Sequence, residues 1–151
     1  MVQLILGLFL ILAGLIIGLG AVTVIDLHGF LGRKSKYWTE ATTRTHKVTK
    51  PLIWIGITLT TIGGIIFYSL LEFPPVSYVQ AVLVAVLILN GLFLSFSVSP
   101  FLLEREKKGK SSELLPSAWQ KKITASFIVS FLCWWSIVFL LVLFLAYLLW
   151  Q

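Results

Sequence analysis

Two histidines, His28 and His46, are the residues whose type and spacing could do chemistry in this chain. His28 follows the first long apolar segment, and His46 precedes the second. The short connection between these segments could bring both rings to the same depth in a membrane. Two facing imidazoles could ligate the iron of heme b. One histidine with Asp26 and Glu40 could instead hold a divalent metal ion. As a third alternative, both rings cap helices or face lipid headgroups.

Three basic residues, Arg44, Lys47 and Lys50, flank His46. Cations at this position could receive carboxylates such as the propionates of a porphyrin. They could equally be determinants of membrane orientation, because Lys and Arg are enriched in cytoplasmic connections. The sequence leaves both interpretations open.

The elements that must position these residues follow from the distribution of charge. All 12 Lys and Arg residues fall within 33–50 and 105–122, and the remaining sequence is strongly apolar. A membrane-spanning helix needs about 20 apolar residues, and four segments meet this requirement, at about 2–25, 51–71, 76–101 and 123–150. We therefore predict an all-α protein with a single membrane domain over 1–151, folded as an up-down-up-down four-helix bundle.

The orientation of this bundle follows from its connections. The basic segments, about 33–50 and 104–122, are expected in the cytoplasm, whereas the link between the second and third helices carries no Lys or Arg. Both termini are then non-cytoplasmic. The inner (plasma) membrane of a bacterium is the expected location.

The composition excludes several other classes. The chain is 58% hydrophobic and only 12% charged, whereas about a quarter of residues are charged in soluble domains. Its net charge of +6 lies beside the membrane boundaries, which favours anionic inner-leaflet lipids over nucleic acid as the partner. The single cysteine, Cys133, excludes an intramolecular disulfide. The first apolar segment lacks a basic leading region and is too long for a signal-peptide core, so we expect it to be retained.

Small and polar residues predict how the helices pack. Gly7, Gly14 and Gly18 share one face of the first helix and would let a neighbouring backbone approach closely. Asn90 and Ser130, in the third and fourth helices, are expected to point into the bundle and form interhelical hydrogen bonds. No charge lies inside the apolar segments beyond their boundaries, which argues against an ion-coupled transporter.

The threonine-rich segment before the second apolar region has two interpretations. It could be an amphipathic helix that lies at the membrane interface. It could also be a loop stabilised by hydroxyl caps. The tryptophan pair Trp134 and Trp135 lies near the centre of the fourth helix, so at least one ring is expected to face the bundle or a partner.

A family resemblance rests on several of these features. The chain has a first helix ending in His28, a basic connection with Arg44 and His46, the stretch THKVTKPLIWIGITLTTIGG over 45–64, and a tryptophan-bearing fourth helix. In this layout it resembles the small four-helix membrane proteins related to HemJ-type protoporphyrinogen oxidase and CopD-like proteins. Such proteins are associated with heme or porphyrin. The resemblance implies heme or porphyrin binding near the cytoplasmic interface, with His28 as an axial ligand and His46 as the second ligand or a gate.

Other functions remain open from the sequence alone. A noncatalytic accessory or assembly subunit, packed through its glycine face within a homo-oligomer or a larger membrane complex, is the second hypothesis. A small transporter or channel is the third. Whether the chain is an enzyme is left open, because no catalytic motif is apparent.

Overall fold

The computed structural model describes residues 1–32 and 34–150, and the regular structure in these residues is entirely helical. The helices are α1 (Val2–Gly32), α2 (Lys36–Ser69), α3 (Pro75–Phe93), α4 (Ser99–Lys107) and α5 (Ser117–Trp150), and a π-helical turn (Leu94–Val98) joins α3 to α4. Helices α3 and α4 therefore form one continuous unit, Pro75–Lys107.

The described residues contain four helical units that are long and apolar enough to cross a membrane. Helices suit hydrocarbon because every backbone polar group can be paired within the segment. The predicted all-α class and the four long apolar helices are confirmed.

Helices α1 and α2 pack together along nearly their whole length. Gly7 lies against Phe67, Gly14 against Thr60, and Gly32 against Thr39, so the two helices run antiparallel. The approach is so close that a Cβ atom on Gly7 would lie 2.8 Å from the backbone nitrogen of Phe67. Small residues permit this backbone contact.

Helix α5 closes the bundle over this pair. The ring of Trp134 lies on Gly18 and is only 1% exposed, whereas the next residue, Trp135, is half exposed on the outer surface. One ring of the tryptophan pair therefore fills the core, while the other faces outward.

Polar side chains connect α3 to its neighbours. The Tyr68 hydroxyl donates to Gln80 Oε1 at 2.6 Å, and Gln80 Nε2 donates to the carbonyl of Ile137 at 3.2 Å. Further along, Asn90 Nδ2 donates to the Ser126 carbonyl, and the Ser126 hydroxyl donates to Asn90 Oδ1 at 2.7 Å. Gln80, Asn90 and Ser126 thus find hydrogen-bond partners on other helices, as is favourable for polar groups in an apolar bundle.

The segment predicted as a basic loop over 33–50 differs in the structure. From Lys36 onward it is helical and forms the first turns of α2, so this helix does not begin near Pro51, which lies inside it. Arg33, the first residue of the predicted loop, lies outside the described residues.

Threonine hydroxyls explain why this polar segment can be helical. Four of them, on Thr39, Thr42, Thr43 and Thr49, donate to the carbonyl four residues earlier, which is the usual pairing of a threonine inside a helix. Thr39 also donates to the Gly32 carbonyl at 2.8 Å and so fastens α2 to the end of α1. All four threonines are buried, so this segment packs into the protein as a helix.

The other predicted connection, 104–122, is shorter in the structure because α4 reaches Lys107 and α5 begins at Ser117. Arg105 holds the remaining loop, since its guanidinium donates to the carbonyls of Lys110, Glu113 and Leu114. Phe101 and Trp119 stack across the loop with ring centroids 4.1 Å apart. The connection between α4 and α5 is therefore held by Arg105 and by the stacked rings.

Candidate functional site

A cavity of about 80 Å³ lies between α1, α2, the π-helical turn and α5, at the end of the bundle that carries the basic segments. Its wall is mostly apolar, but several polar side chains reach it. They are Asp26, Thr39, Thr42, His46, Lys50, Ser95, Gln120, Thr124 and Ser126. We call this space the Asp26–His46 cavity.

Helical periodicity places one row of α2 on this cavity. Thr39, Thr42, His46 and Lys50 are three or four residues apart, so they share a face of the helix. This face exists only because α2 continues as a helix before Pro51. Likewise, Asp26 and Gly29 reach the cavity because α1 continues to Gly32.

Two polar atoms of the cavity residues are buried without a hydrogen-bond partner. They are the carboxylate oxygen Oδ2 of Asp26 and the imidazole nitrogen Nε2 of His46. A buried polar atom without a partner is costly. A ligand that donates hydrogen bonds or carries positive charge could pair with either atom, provided for His46 that Nε2 is the unprotonated nitrogen of the ring.

The π-helical turn forms another part of the wall through Leu94, Ser95 and Val98. Trp54 Nε1 donates to Ser95 Oγ at 3.2 Å, and the Trp54 ring covers Gly91. Turns of this kind are frequent at functional sites. Ser95 and Trp54 were not among the site residues expected from the sequence. The available signal for an irregular turn was Pro100, because its nitrogen cannot donate to the carbonyl four residues earlier and the preceding turn is disturbed.

His28 does not line the Asp26–His46 cavity. It lies two residues after Asp26, so its side chain leaves the helix about 200° further around. Its ring packs against Trp38 with centroids 5.3 Å apart, and its Nδ1 atom is also buried without a partner. The structure therefore does not bring His28 and His46 to one cavity.

The three basic residues around His46 also separate. Arg44 forms an ion pair with Glu40 at 2.6 Å on the surface, and Lys47 forms one with Glu106 of α4 at 2.8 Å. Only Lys50 of these three lines the cavity. Because Glu40 is paired with Arg44 on the surface, it does not join Asp26 and His46. The described residues contain no group of three His, Cys, Asp or Glu side chains suited to a metal ion.

The size of the cavity limits what it can hold. Pockets for drug-sized ligands and cofactors are typically about 300–1,000 Å³, whereas this cavity measures about 80 Å³. The residues as placed do not fit a porphyrin held between both histidines. The space suits an ion with its waters or a small polar group.

Comparison of the chain with protein-family models, with curated proteins and with solved structures found no match. The resemblance to HemJ-type and CopD-like proteins therefore stays a prediction from the sequence.

Proposed function

We propose that this chain is an integral protein of the bacterial inner membrane that binds a small cation in the Asp26–His46 cavity. The observation that carries the proposal is the pair of buried, unpartnered acceptor atoms, Asp26 Oδ2 and His46 Nε2. A carboxylate within a membrane-spanning segment marks a functional site by default. Carboxylate oxygen and imidazole nitrogen are together good ligands for a divalent transition metal, and both also accept hydrogen bonds from an ammonium group.

The proposed orientation places this cavity at the cytoplasmic side. The antiparallel contacts of α1 with α2 support spans that alternate in direction across the membrane. With alternating spans, all Lys and Arg residues lie at the same end of the bundle. By the positive-inside rule this end is cytoplasmic. Anionic inner-leaflet lipids are the expected partners of the surrounding basic residues.

A cationic side chain, Lys50, also lies on the cavity wall. Its ammonium group ends a long, flexible stem that can extend toward lipid phosphates. With its ammonium group near the lipid phosphates, Lys50 leaves the carboxylate of Asp26 available to a cation.

Thiol labelling tests this proposal, because Cys133 is the only native cysteine and can be replaced by serine. In that background we compare Ser95→Cys, which lies on the cavity wall, with Phe96→Cys, whose native side chain is 76% exposed on the outside at nearly the same depth. A cationic methanethiosulfonate-ethylammonium reagent should modify Ser95→Cys faster than the anionic ethylsulfonate reagent, because a carboxylate at Asp26 on the same wall attracts a cation and repels an anion.

The charge preference should depend on the proposed ligand residue. Asp26→Asn is expected to abolish it at Ser95→Cys, whereas Glu40→Gln, which alters an exposed ion pair, should preserve it. Phe96→Cys, which faces lipid, should react slowly with both reagents. Equal rates of the two reagents at Ser95→Cys, in the presence of Asp26, would contradict a cation site.

Heme ligation through His46 is a second candidate, and the free Nε2 atom is the observation that favours it. It would require the helices around the cavity to separate. Protein purified from heme-replete cells would then show a Soret band that shifts on reduction. His46→Ala should abolish this band, and His28→Ala should preserve it, because His28 lies outside the cavity. A protein that stays colourless after heme addition excludes this candidate.

A further inference from the structure

A second cavity, of about 420 Å³, lies between α2 and α3 in the other half of the bundle. It is independent of the cation site and large enough for an organic ligand. Its wall is predominantly apolar and includes Ile11, Ile65, Phe73, Val84, Ile88 and Ile137. We call it the α2–α3 cleft.

Most polar groups on the wall of this cleft are already paired. Tyr68 donates to Gln80, which in turn donates to Ile137, and the hydroxyls of Thr61 and Ser77 donate to backbone carbonyls. The Thr60 hydroxyl has no hydrogen-bond partner, but it lies against the backbone of Gly14. With most of its polar groups paired, the cleft offers a mainly apolar surface that suits hydrocarbon.

The segment at the mouth of the cleft has a distinctive charge. Phe73 and Tyr78 line the cleft there, and Tyr78 is 65% exposed, as expected for an aromatic residue at a membrane interface. The adjacent Glu72 is exposed, and no Lys or Arg occurs between Lys50 and Arg105. A carboxylate without nearby basic residues attracts an ammonium group and provides nothing to bind the phosphate of an anionic lipid.

We infer that the α2–α3 cleft holds an acyl chain of a phospholipid whose headgroup is ethanolamine. The chain fills the apolar cleft between two helices that are themselves surrounded by hydrocarbon. The headgroup lies at the link between α2 and α3, where its ammonium group meets Glu72. The charge at the mouth selects this zwitterionic lipid over an anionic one such as phosphatidylglycerol.

Gly64 provides a way to block the cleft. It lines the cavity, and a Cβ atom built on it would meet no other atom within 4 Å, so Gly64→Leu should project into the cleft with no clash at its Cβ atom. Gly20 of α1 is equally open but lies away from the cleft, so Gly20→Leu is the matched control. Ala81→Phe fills the cleft from α3 and serves as a second blocking variant.

The test uses protein reconstituted into bilayers that contain phosphatidylethanolamine or phosphatidylglycerol with a photoactivatable diazirine in the acyl chain. Crosslinked peptides are mapped by mass spectrometry. In the native protein we expect labelling by the ethanolamine lipid to concentrate on the cleft wall, including Val84 and Ile88. Gly64→Leu and Ala81→Phe should reduce this labelling severalfold, whereas Gly20→Leu should leave it unchanged.

The headgroup is tested with Glu72→Gln, which should remove the excess of labelling by the ethanolamine lipid over phosphatidylglycerol. Labelling spread evenly over the outer surface, and unaffected by both blocking variants, would overturn the cleft as a lipid site. Equal labelling of the cleft by both lipids in the native protein would overturn the ethanolamine assignment. Neither result bears on the cation site, whose readout is the reactivity of a thiol in the other cavity.

Discussion

Gly14 and Gly20 show how differently two glycines of one helix are used. A Cβ atom on Gly14 would lie 2.5 Å from the Thr60 nitrogen and 2.7 Å from the Gly56 carbonyl oxygen, whereas one on Gly20 would meet no atom within 4 Å. Gly14→Ala should therefore push α1 away from α2 and cost about 1–3 kcal/mol, as overpacking does. The measurement is the thermal unfolding temperature in one detergent, which should fall.

Gly20→Ala is the control for this prediction. Alanine is a better helix former than glycine by up to about 1 kcal/mol, and the site is open, so the unfolding temperature should stay the same or rise slightly. Equal effects of the two substitutions would mean that α1 and α2 are not held by close backbone contact at Gly14.

The candidate site could be predicted only in part from single residues. The sequence drew attention to His46, Lys50 and Asp26, and the structure places all three on one cavity. It also suggested His28, which faces elsewhere because residues two apart on a helix point in nearly opposite directions. Whether two residues from different helices face each other depends on the rotation of each helix, and an apolar composition does not specify that rotation.

At the scale of elements, the apolar parts of the four helical units were predictable, whereas the sequence left open whether the polar segment before Pro51 is a helix or a loop; the structure shows a helix. Hydropathy identifies where a chain can cross hydrocarbon, but α2 begins 15 residues before Pro51, at Lys36. Its first turns are stabilised by threonine hydroxyls and by burial against the end of α1. Most of the hydroxyl bonds lie within α2, whereas the burial against α1 is a tertiary contact. A basic, threonine-rich sequence is equally typical of a loop.

The π-helical turn was not predicted, since Leu94–Val98 is apolar enough for an ordinary helix and Pro100 is the only nearby sign of a disturbed backbone. Asn90, by contrast, was correctly expected to point inward as a polar residue in a long apolar segment, and it pairs with Ser126. Polarity thus predicts which side chains seek the interior, while backbone irregularity is set by how neighbouring helices pack.

At the scale of the whole molecule, the outer surface is rich in large apolar side chains. Phe9, Ile16 and Leu132 are 62%, 75% and 58% exposed. A patch of this extent on a soluble monomer would indicate a protein interface. Around four long apolar helices, membrane lipid can cover it without any protein partner.

The orientation of the whole bundle yields a direct prediction. In the Cys133→Ser background, Tyr78→Cys lies near the link without basic residues, and Lys108→Cys lies in the basic loop. A membrane-impermeant thiol reagent added to intact cells should modify Tyr78→Cys but not Lys108→Cys, because basic connections remain in the cytoplasm.

Permeabilised cells are the control, because both cysteines should then react. Labelling of Lys108→Cys in intact cells would reverse the proposed orientation. It would also place the Asp26–His46 cavity at the outer face of the membrane.

Because of the π-helical turn, the length of this segment is more constrained than the identity of its residues. Each residue of a helix turns the chain by about 100°, so deleting one residue within Leu94–Val98 would return the segment to α-helix and rotate α4 by about that angle. Glu106 would then turn away from Lys47, and Arg105 from the carbonyls that it holds. Over evolution, selection should tolerate substitutions between Asn90 and Arg105 but strongly disfavour insertions and deletions there.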